Sequence, residues 1–258
     1  MKRYFFLLVF LLSSGVLTPE SMDDFIGINE QLGKKIPLNL TFKDEQGIDV
    51  SLAKLVDKPT IFMFVYYECP GICSPLMSEV AAEIEQVDLV AGKDYQLVAI
   101  SFDQTEGPAL AYAKKVNYMD IFKKPIPEDA WRFLTGDSAS IAAITGSVGF
   151  GFKKEGEDFV HPGGLVIVSK DGIITRYLLG TDFMPFDLKM AVIEASEGRV
   201  TPTIAKMLKF CYSYDREGKR YALNITRIAG IVTLLAVGVF VLVFIRKPKK
   251  QTTEKGSQ

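Results

Sequence analysis

A charge-free run, residues 60–67, constrains the fold of this chain more than any other segment. It is rich in β-branched and aromatic residues, which is typical of a buried strand. The proline and glycine that follow indicate a tight turn, and residues 76–87 then have the pattern of a helix, with Pro75 suited to its first turn. A buried strand that turns directly into a helix points to an α/β domain.

Further strands and helices alternate on both sides of this unit. We predict strands at residues 38–42, 48–50, 60–67, 95–102, 131–134, 150–153, 165–169 and 173–178. We predict helices at residues 76–87, 107–116, 138–145 and 185–196. Ser138 is expected to cap the third helix, and Gly198 to end the last. An amino-terminal hairpin, alternating strands and helices, and a closing hairpin and helix suggest a thioredoxin-like fold.

The two ends of the chain carry patterns typical of membrane targeting. Residues 1–21 combine a basic start with an apolar stretch of signal-peptide length, so we expect a signal peptide or an uncleaved anchor. Residues 228–245 are uninterruptedly apolar and long enough for one transmembrane helix, although a buried core helix is the alternative. The basic tail, residues 246–258, is expected in the cytoplasm, with the rest of the chain facing the periplasm or the exterior.

Between these ends lies enough chain for one ordinary domain with its own core, residues 37–198. We expect a linker at residues 22–36 and a juxtamembrane segment at residues 199–227. The formal net charge of −1 and the pI near 6.0 give no electrostatic reason to expect nucleic acid as a partner.

Two cysteines and the chain's only histidine form a candidate soft-metal or redox site. Cys69 and Cys73 follow the central strand, and His161 lies just ahead of another apolar run. If Cys73 enters the helix, both sulfurs face its positive amino end, which should favour thiolate over thiol. A plain disulfide staple is the simpler interpretation, but closing so short a loop stabilises a fold by only about 2 kcal/mol. Zinc would accept the same ligands with a fourth one added.

Several segments together resemble the Sco/SenC family of copper proteins, which serve cytochrome c oxidase assembly. They are Cys69-Pro70-Gly71-Ile72-Cys73, Ala99-Ile100-Ser101-Phe102-Asp103, Phe133-Leu134-Thr135-Gly136, and His161 ahead of Leu165-Val166-Ile167-Val168. The resemblance implies a metallochaperone that binds copper through Cys69, Cys73 and His161. It also implies two partners, the copper-bearing subunit of cytochrome c oxidase and a thiol reductant. The chain departs from the family pattern at Ser74 and at residues 103–108, where the later aspartate of a common Asp-Pro-x-x-Asp-Thr-Pro segment is missing.

The implied ligands suit both oxidation states of copper. Thiolates are soft donors that select Cu(I), and imidazole suits Cu(I) and Cu(II), so the set could accept Cu(II) when an oxygen ligand joins. Asp103, at the carboxyl end of the neighbouring predicted strand, is a candidate for that oxygen or for steering the metal indirectly. A solvated strand-end carboxylate or a helix cap is the alternative for Asp103.

Two other functions fit the same residues. A membrane-tethered thiol–disulfide oxidoreductase that reduces oxidase cysteines, or a peroxiredoxin-like enzyme, would use the pair for exchange, with Cys69 as the attacking thiol. The spacing of three residues instead of two weakens that interpretation, although Pro162 could lie where thioredoxins place a cis-proline. A factor that only docks on an oxidase would leave all three residues dispensable. The remaining cysteine, Cys211, is expected to be an interfacial or partly buried thiol first and a reactive one second.

Overall fold

The computed structural model describes residues 25–202, 212–215, 220–223, 233 and 236–240. The chain divides into two compact units, Met1–Thr201 and Pro202–Gln258. In the first unit the strands are β1 (Gly27–Ile28), β2 (Thr41–Lys43), β3 (Asp49–Ser51), β4 (Thr60–Val65), β5 (Gln96–Ser101), β6 (Trp131–Leu134), β7 (Phe150–Gly151), β8 (Lys153–Glu155), β9 (Asp158–Val160), β10 (Gly164–Val168) and β11 (Ile174–Leu179). Its helices are α1 (Leu52–Leu55), α2 (Cys73–Ile84), α3 (Pro108–Met119), α4 (Ser138–Ser147) and α5 (Pro185–Ser196), with a 3₁₀ turn at Glu128–Ala130.

A five-stranded sheet in the order β11-β10-β4-β5-β6 forms the centre of this unit. Strands β4, β5 and β6 are parallel, whereas β10 runs antiparallel to both β4 and β11. Every residue of β4, β5 and β10 is buried, which explains why their sequences lack charge. Helix α5 packs against β4, β10 and β11, and α3 packs against β6. The predicted α/β arrangement of strands and helices is confirmed.

The register of the sheet brings three chain segments to one edge. Val65, the last residue of β4, pairs with Ser101, the last residue of β5. Near the start of β10, Leu165 pairs with Met63 of β4. The segments that follow β4 and β5 and the segment that precedes β10 therefore meet at the carboxyl ends of the parallel strands, where open α/β sheets place their ligands.

The amino-terminal hairpin is formed by β2 and β3, in which Phe42 pairs with Val50. The Asp44 carboxylate accepts hydrogen bonds from two backbone N–H groups of its turn and forms an ion pair with Arg132 at 2.7 Å. Lys43 exchanges backbone hydrogen bonds with Thr135, just beyond β6. The predicted hairpin is confirmed, and these contacts attach it to the edge of the central sheet.

The start of α2 and the capping residue of α4 differ from the predictions. Helix α2 begins at Cys73, three positions earlier than the proline pattern indicated. Asp137, not Ser138, caps α4, because its carboxylate accepts a hydrogen bond from the backbone N–H of Ser140 at 2.7 Å and its own backbone is still extended. The last helix has the predicted bounds, and Gly198 follows it with a φ of +67°.

In the second unit, the described residues include an antiparallel pair, β12 (Tyr212–Asp215) and β13 (Arg220–Leu223), and helical residues at 233 and 236–240. The predicted signal segment, Cys211 and most of the predicted membrane helix lie outside the described residues. Within the part of the chain that is described, no helix has both the length and the apolar character needed to cross a membrane.

Candidate metal centre

The segment between β4 and α2, residues 66–72, forms a tight turn that we call the cysteine loop. Cys69 lies in this loop and Cys73 is the first residue of α2, so the loop, not a helical turn, brings the two cysteines together. The backbone N–H of Cys69 donates to the carbonyl of Tyr66 at 3.3 Å, and the N–H of Gly71 donates to the Cys69 sulfur at 3.3 Å. Both cysteines are free thiols, of which Cys69 is half-buried and Cys73 is buried.

His161 reaches the site from the segment between β9 and β10. Its Nε2 lies 3.5 Å from the sulfur of Cys73 and 3.9 Å from the sulfur of Cys69. Its Nδ1 donates to the carbonyl oxygen of Pro162 at 3.0 Å, which fixes the tautomer and leaves the Nε2 lone pair facing the sulfurs. The three donor atoms all lie within 4.8 Å of one another. The structure thus brings together the three residues that the sequence singled out.

Burial controls the protonation of these groups. It raises the pKa of the Cys73 thiol above its ordinary value. The prediction that the helix end would favour thiolate is therefore wrong for Cys73, because burial of the charged form raises its pKa more than the backbone hydrogen bond at Tyr66 lowers it. Burial also lowers the pKa of His161, and the hydrogen bond to Pro162 only partly opposes this effect. His161 is consequently neutral at pH 7 and able to act as a donor.

Aromatic rings surround the imidazole. Its ring centre lies 5.0 Å from that of Phe102, 5.8 Å from that of Tyr66 and 6.3 Å from that of Phe150. Phe159, on β9, packs against Phe102 and Tyr66. This packing orients the imidazole and keeps water away from one side of the donor atoms.

Asp103 lies outside the group of three donors. Its carboxylate accepts hydrogen bonds from the backbone N–H and the hydroxyl of Thr105, at 2.8 and 2.7 Å. These bonds close a turn after β5 and do not cap α3, which begins at Pro108 after Gly107, so Asp103 corresponds to the strand-end carboxylate alternative. A role for Asp103 in steering the metal stays a prediction.

Sequence reasoning missed a different carboxylate, that of Glu106. It is buried after β5 and accepts hydrogen bonds from the backbone N–H groups of Tyr67 and Glu68 in the cysteine loop. The signal available in the sequence was its place beyond a central strand, just ahead of Gly107 and Pro108, in the segment that departs from the Sco/SenC pattern.

The donor set fits a soft metal ion. Two sulfurs and one neutral imidazole nitrogen suit Cu(I), and the half-exposed Cys69 leaves the site accessible from solvent. The same pair of thiols also suits disulfide exchange. Pro162 does not supply the cis-proline of the oxidoreductase interpretation, since every peptide bond among the described residues is trans.

Known proteins are similar to this chain in sequence and in fold. A family model described as SCO1/SenC matches residues 29–185. A Bacillus subtilis protein named SCO1 protein homolog is 27% identical over 163 residues, which cover 59% of this chain and 81% of the relative.

Two solved structures show the same fold. Arabidopsis thaliana ScoI, crystallised with copper bound, has a TM-score of 0.51 and 20% identity, with 65% of this chain and 99% of that chain covered. BsSco, described as a member of the Sco family of cytochrome c oxidase assembly proteins, has a TM-score of 0.52 and 22% identity, with 67% and 98% covered. The thioredoxin-like fold of the first unit is confirmed.

Proposed function

Since the chain belongs to the SCO1/SenC family, we propose that it binds copper and assists copper-site assembly in cytochrome c oxidase. The observation that carries the proposal is the convergence of the donor atoms of Cys69, Cys73 and His161 within 4.8 Å. Its partner is the copper-bearing subunit of the oxidase, and a thiol reductant keeps the cysteines reduced, because disulfide sulfurs cannot act as thiolate ligands.

The three residues have distinct roles in this proposal. Cys69 and Cys73 supply the two thiolates that hold Cu(I), and the Nε2 of His161 adds the donor that makes Cu(II) acceptable. The hydrogen bond from Nδ1 to Pro162 supports this role, because a second hydrogen bond on a ligating imidazole sets its orientation and basicity. Ile72, 39% exposed in the cysteine loop, offers an acceptor protein an apolar contact beside the metal.

An anaerobic Cu(I) titration of the reduced full-length chain tests the proposal. Cys69→Ala or Cys73→Ala should abolish tight binding of both oxidation states, because no other donor of this site can replace the lost sulfur. His161→Ala should weaken Cu(I) binding modestly but remove most of the sulfur-to-Cu(II) charge-transfer absorption. Cys211→Ser is the matched control, a cysteine variant outside the donor set, and should leave the stoichiometry unchanged. Cysteine variants at positions 69 and 73 that bind Cu(I) as tightly as the parent would contradict the site.

A cellular assay separates copper delivery from other tasks. Cells carrying the Cys69 or Cys73 variants should show low oxidase activity, with little copper in the copper-bearing subunit. Extra copper in the medium should restore part of the activity if delivery is the main task. Restoration by an added thiol reductant instead of copper would favour disulfide exchange.

Thiol–disulfide exchange is the second candidate, favoured by the different exposure of the two thiols. The Cys69 thiolate would attack a disulfide of the oxidase subunit and form a mixed disulfide, which releases one partner thiolate. Cys73 would then attack the Cys69 sulfur, releasing the second partner thiolate and leaving a Cys69–Cys73 disulfide that the thiol reductant opens. With three cysteines in the chain, the oxidised protein should show one free thiol before reduction and three after.

The membrane disposition of the chain is a separate part of the proposal. Residues 228–245 would anchor the protein in the cytoplasmic membrane, with the first unit facing the periplasm or the exterior. Ending the chain before residue 228 should then release an exported protein that no longer sediments with membranes. A first unit protected from added protease in intact spheroplasts would contradict this topology.

A further inference from the structure

Glu106 is a buried carboxylate beside the candidate metal centre, and its side-chain hydrogen bonds go to Tyr67, Glu68 and Ser101 and not to the three candidate ligands. It is 8% exposed and lies between β5 and α3, where the chain leaves the central sheet. The β4–β5 register aligns Val65 with Ser101, so the segment that carries Glu106 starts beside the start of the cysteine loop.

Three donors converge on this carboxylate. Its Oε2 accepts hydrogen bonds from the backbone N–H of Tyr67, at 2.7 Å, and from the hydroxyl of Ser101. Its Oε1 accepts a hydrogen bond from the backbone N–H of Glu68 at 2.8 Å. Tyr67 and Glu68 are the two residues immediately before Cys69 and lie beyond the end of β4, where the sheet no longer supplies acceptors. Glu106 therefore supplies the acceptors that these two groups need.

We propose that Glu106 is the positioning residue of the copper site, in that its carboxylate holds the backbone of the cysteine loop so that the Cys69 sulfur faces Cys73 and His161. The inference rests on the copper-binding function proposed above and adds to it the cause of the loop geometry. Cys73 is fixed by α2 and His161 by its Pro162 contact and its aromatic neighbours. Cys69 has no such element of its own, so its position depends on the loop.

The expected loss of Cu(I) affinity follows from the contact that Glu106 makes, which is with the backbone of the cysteine loop and not with the metal. Residues that orient metal ligands without touching the metal typically change affinity by about 10- to 100-fold when they are replaced. In Glu106→Gln one carboxylate oxygen becomes an NH₂ group that faces N–H donors, so at least one hydrogen bond to the loop is lost without a change in side-chain size.

A matched control separates this role from a general loss of stability. Glu194 is also buried, at 5% exposed, but its carboxylate pairs with Arg176 at 2.9 Å and has no bond to the cysteine loop. Glu194→Gln should lower the melting temperature and leave the Cu(I) affinity within about threefold of the parent, because the metal ligands keep their supports.

The experiment compares Glu106→Gln, Glu194→Gln and the parent as full-length chains. Cu(I) affinity is measured by competition with a chromogenic chelator, and amide hydrogen exchange is followed across residues 66–69 of the metal-free protein. We expect Glu106→Gln to lower the Cu(I) affinity by at least about tenfold and to speed amide hydrogen exchange at Tyr67 and Glu68. If Glu106→Gln does not fold, Glu106→Asp, whose shorter side chain cannot reach both N–H groups, should show the same loss.

The outcomes distinguish the two proposals. A parent chain that binds no Cu(I) would overturn the proposed function, and the positioning role with it. A parent that binds Cu(I) beside a Glu106→Gln variant of unchanged affinity would overturn the positioning role alone. Equal weakening by Glu106→Gln and Glu194→Gln would show that lost stability, and not loop position, controls the affinity, which also overturns it.

Discussion

Raising the pH should strengthen Cu(I) binding steeply, because the buried Cys73 thiol must lose its proton to become a ligand. Cys73 is 3% exposed, and burial raises its pKa above the ordinary value of 9.0. The thiol is therefore protonated throughout the range from pH 6.5 to 8.5, and each copper ion bound there releases the proton of Cys73.

The expected change of the Cu(I) affinity with pH follows from the release of this proton. One released proton makes the affinity rise about tenfold per pH unit, or about 1.36 kcal/mol per unit. Over two units Cys73 alone contributes about 100-fold, or about 2.7 kcal/mol, without levelling off below pH 9. His161 adds little to the rise, because burial lowers its pKa from the ordinary value and so favours the neutral imidazole.

The assay is a competition titration against a chromogenic Cu(I) chelator, carried out anaerobically at several pH values and corrected for protonation of the chelator. His161→Ala is the control, and it should weaken binding while leaving the slope nearly unchanged, since burial lowers the pKa of His161 and so favours the neutral imidazole. An affinity that levels off between pH 6.5 and 8.5 would refute the reasoning, because it would mean that the Cys73 thiol is already ionised in the folded protein.

Two further predictions concern the scaffold of the site. Tyr67→Phe should lower the free energy of unfolding, measured by denaturant titration, by about 1–3 kcal/mol. The substitution removes the buried hydroxyl that donates to the carbonyl of Leu134 at 2.8 Å. Gly149→Ala and Gly156→Ala form a matched pair, since each glycine has a φ of +66°. Gly156→Ala should cost only the strain of that conformation, about 1–2 kcal/mol. Gly149→Ala should lower the free energy of unfolding by more, about 3 kcal/mol or above, because its Cβ would lie 1.9 Å from a backbone oxygen. Equal losses of stability in the two variants would contradict this expectation.

The sequence predicted the parts of the fold whose signals are local. The runs that became β4, β5 and β10 are predominantly apolar and free of charge because both of their faces are buried. The helix α5 was predicted with its observed bounds because proline at its start and Gly198 beyond its end mark both limits. The short strands β1 and β9 were not predicted, and the single strand predicted at residues 150–153 is divided into β7 and the start of β8, because strands of two or three residues are too short to show a period.

The site was predicted only in part, for a physical reason. Residue type, the place of each residue beside an apolar run and the resemblance to the Sco/SenC family together singled out Cys69, Cys73 and His161. The protonation of Cys73 depends on its burial depth, and the role of Glu106 depends on which backbone N–H groups lie opposite it across two strands. Such facts arise from tertiary packing and have no pattern along the chain.

The formation of the site depends on the antiparallel pairing of β4 and β10. Cys73 and His161 are 88 positions apart in the chain, and their donor atoms come within reach of one ion only after these two strands have paired. An unfolded chain offers two nearby thiols, whereas the folded protein offers all three donors. An ion held by all three donors therefore stabilises the state in which β4 and β10 have paired over states that offer only the two thiols, so that copper bound through Cys69, Cys73 and His161 marks a protein in which these two strands have come together.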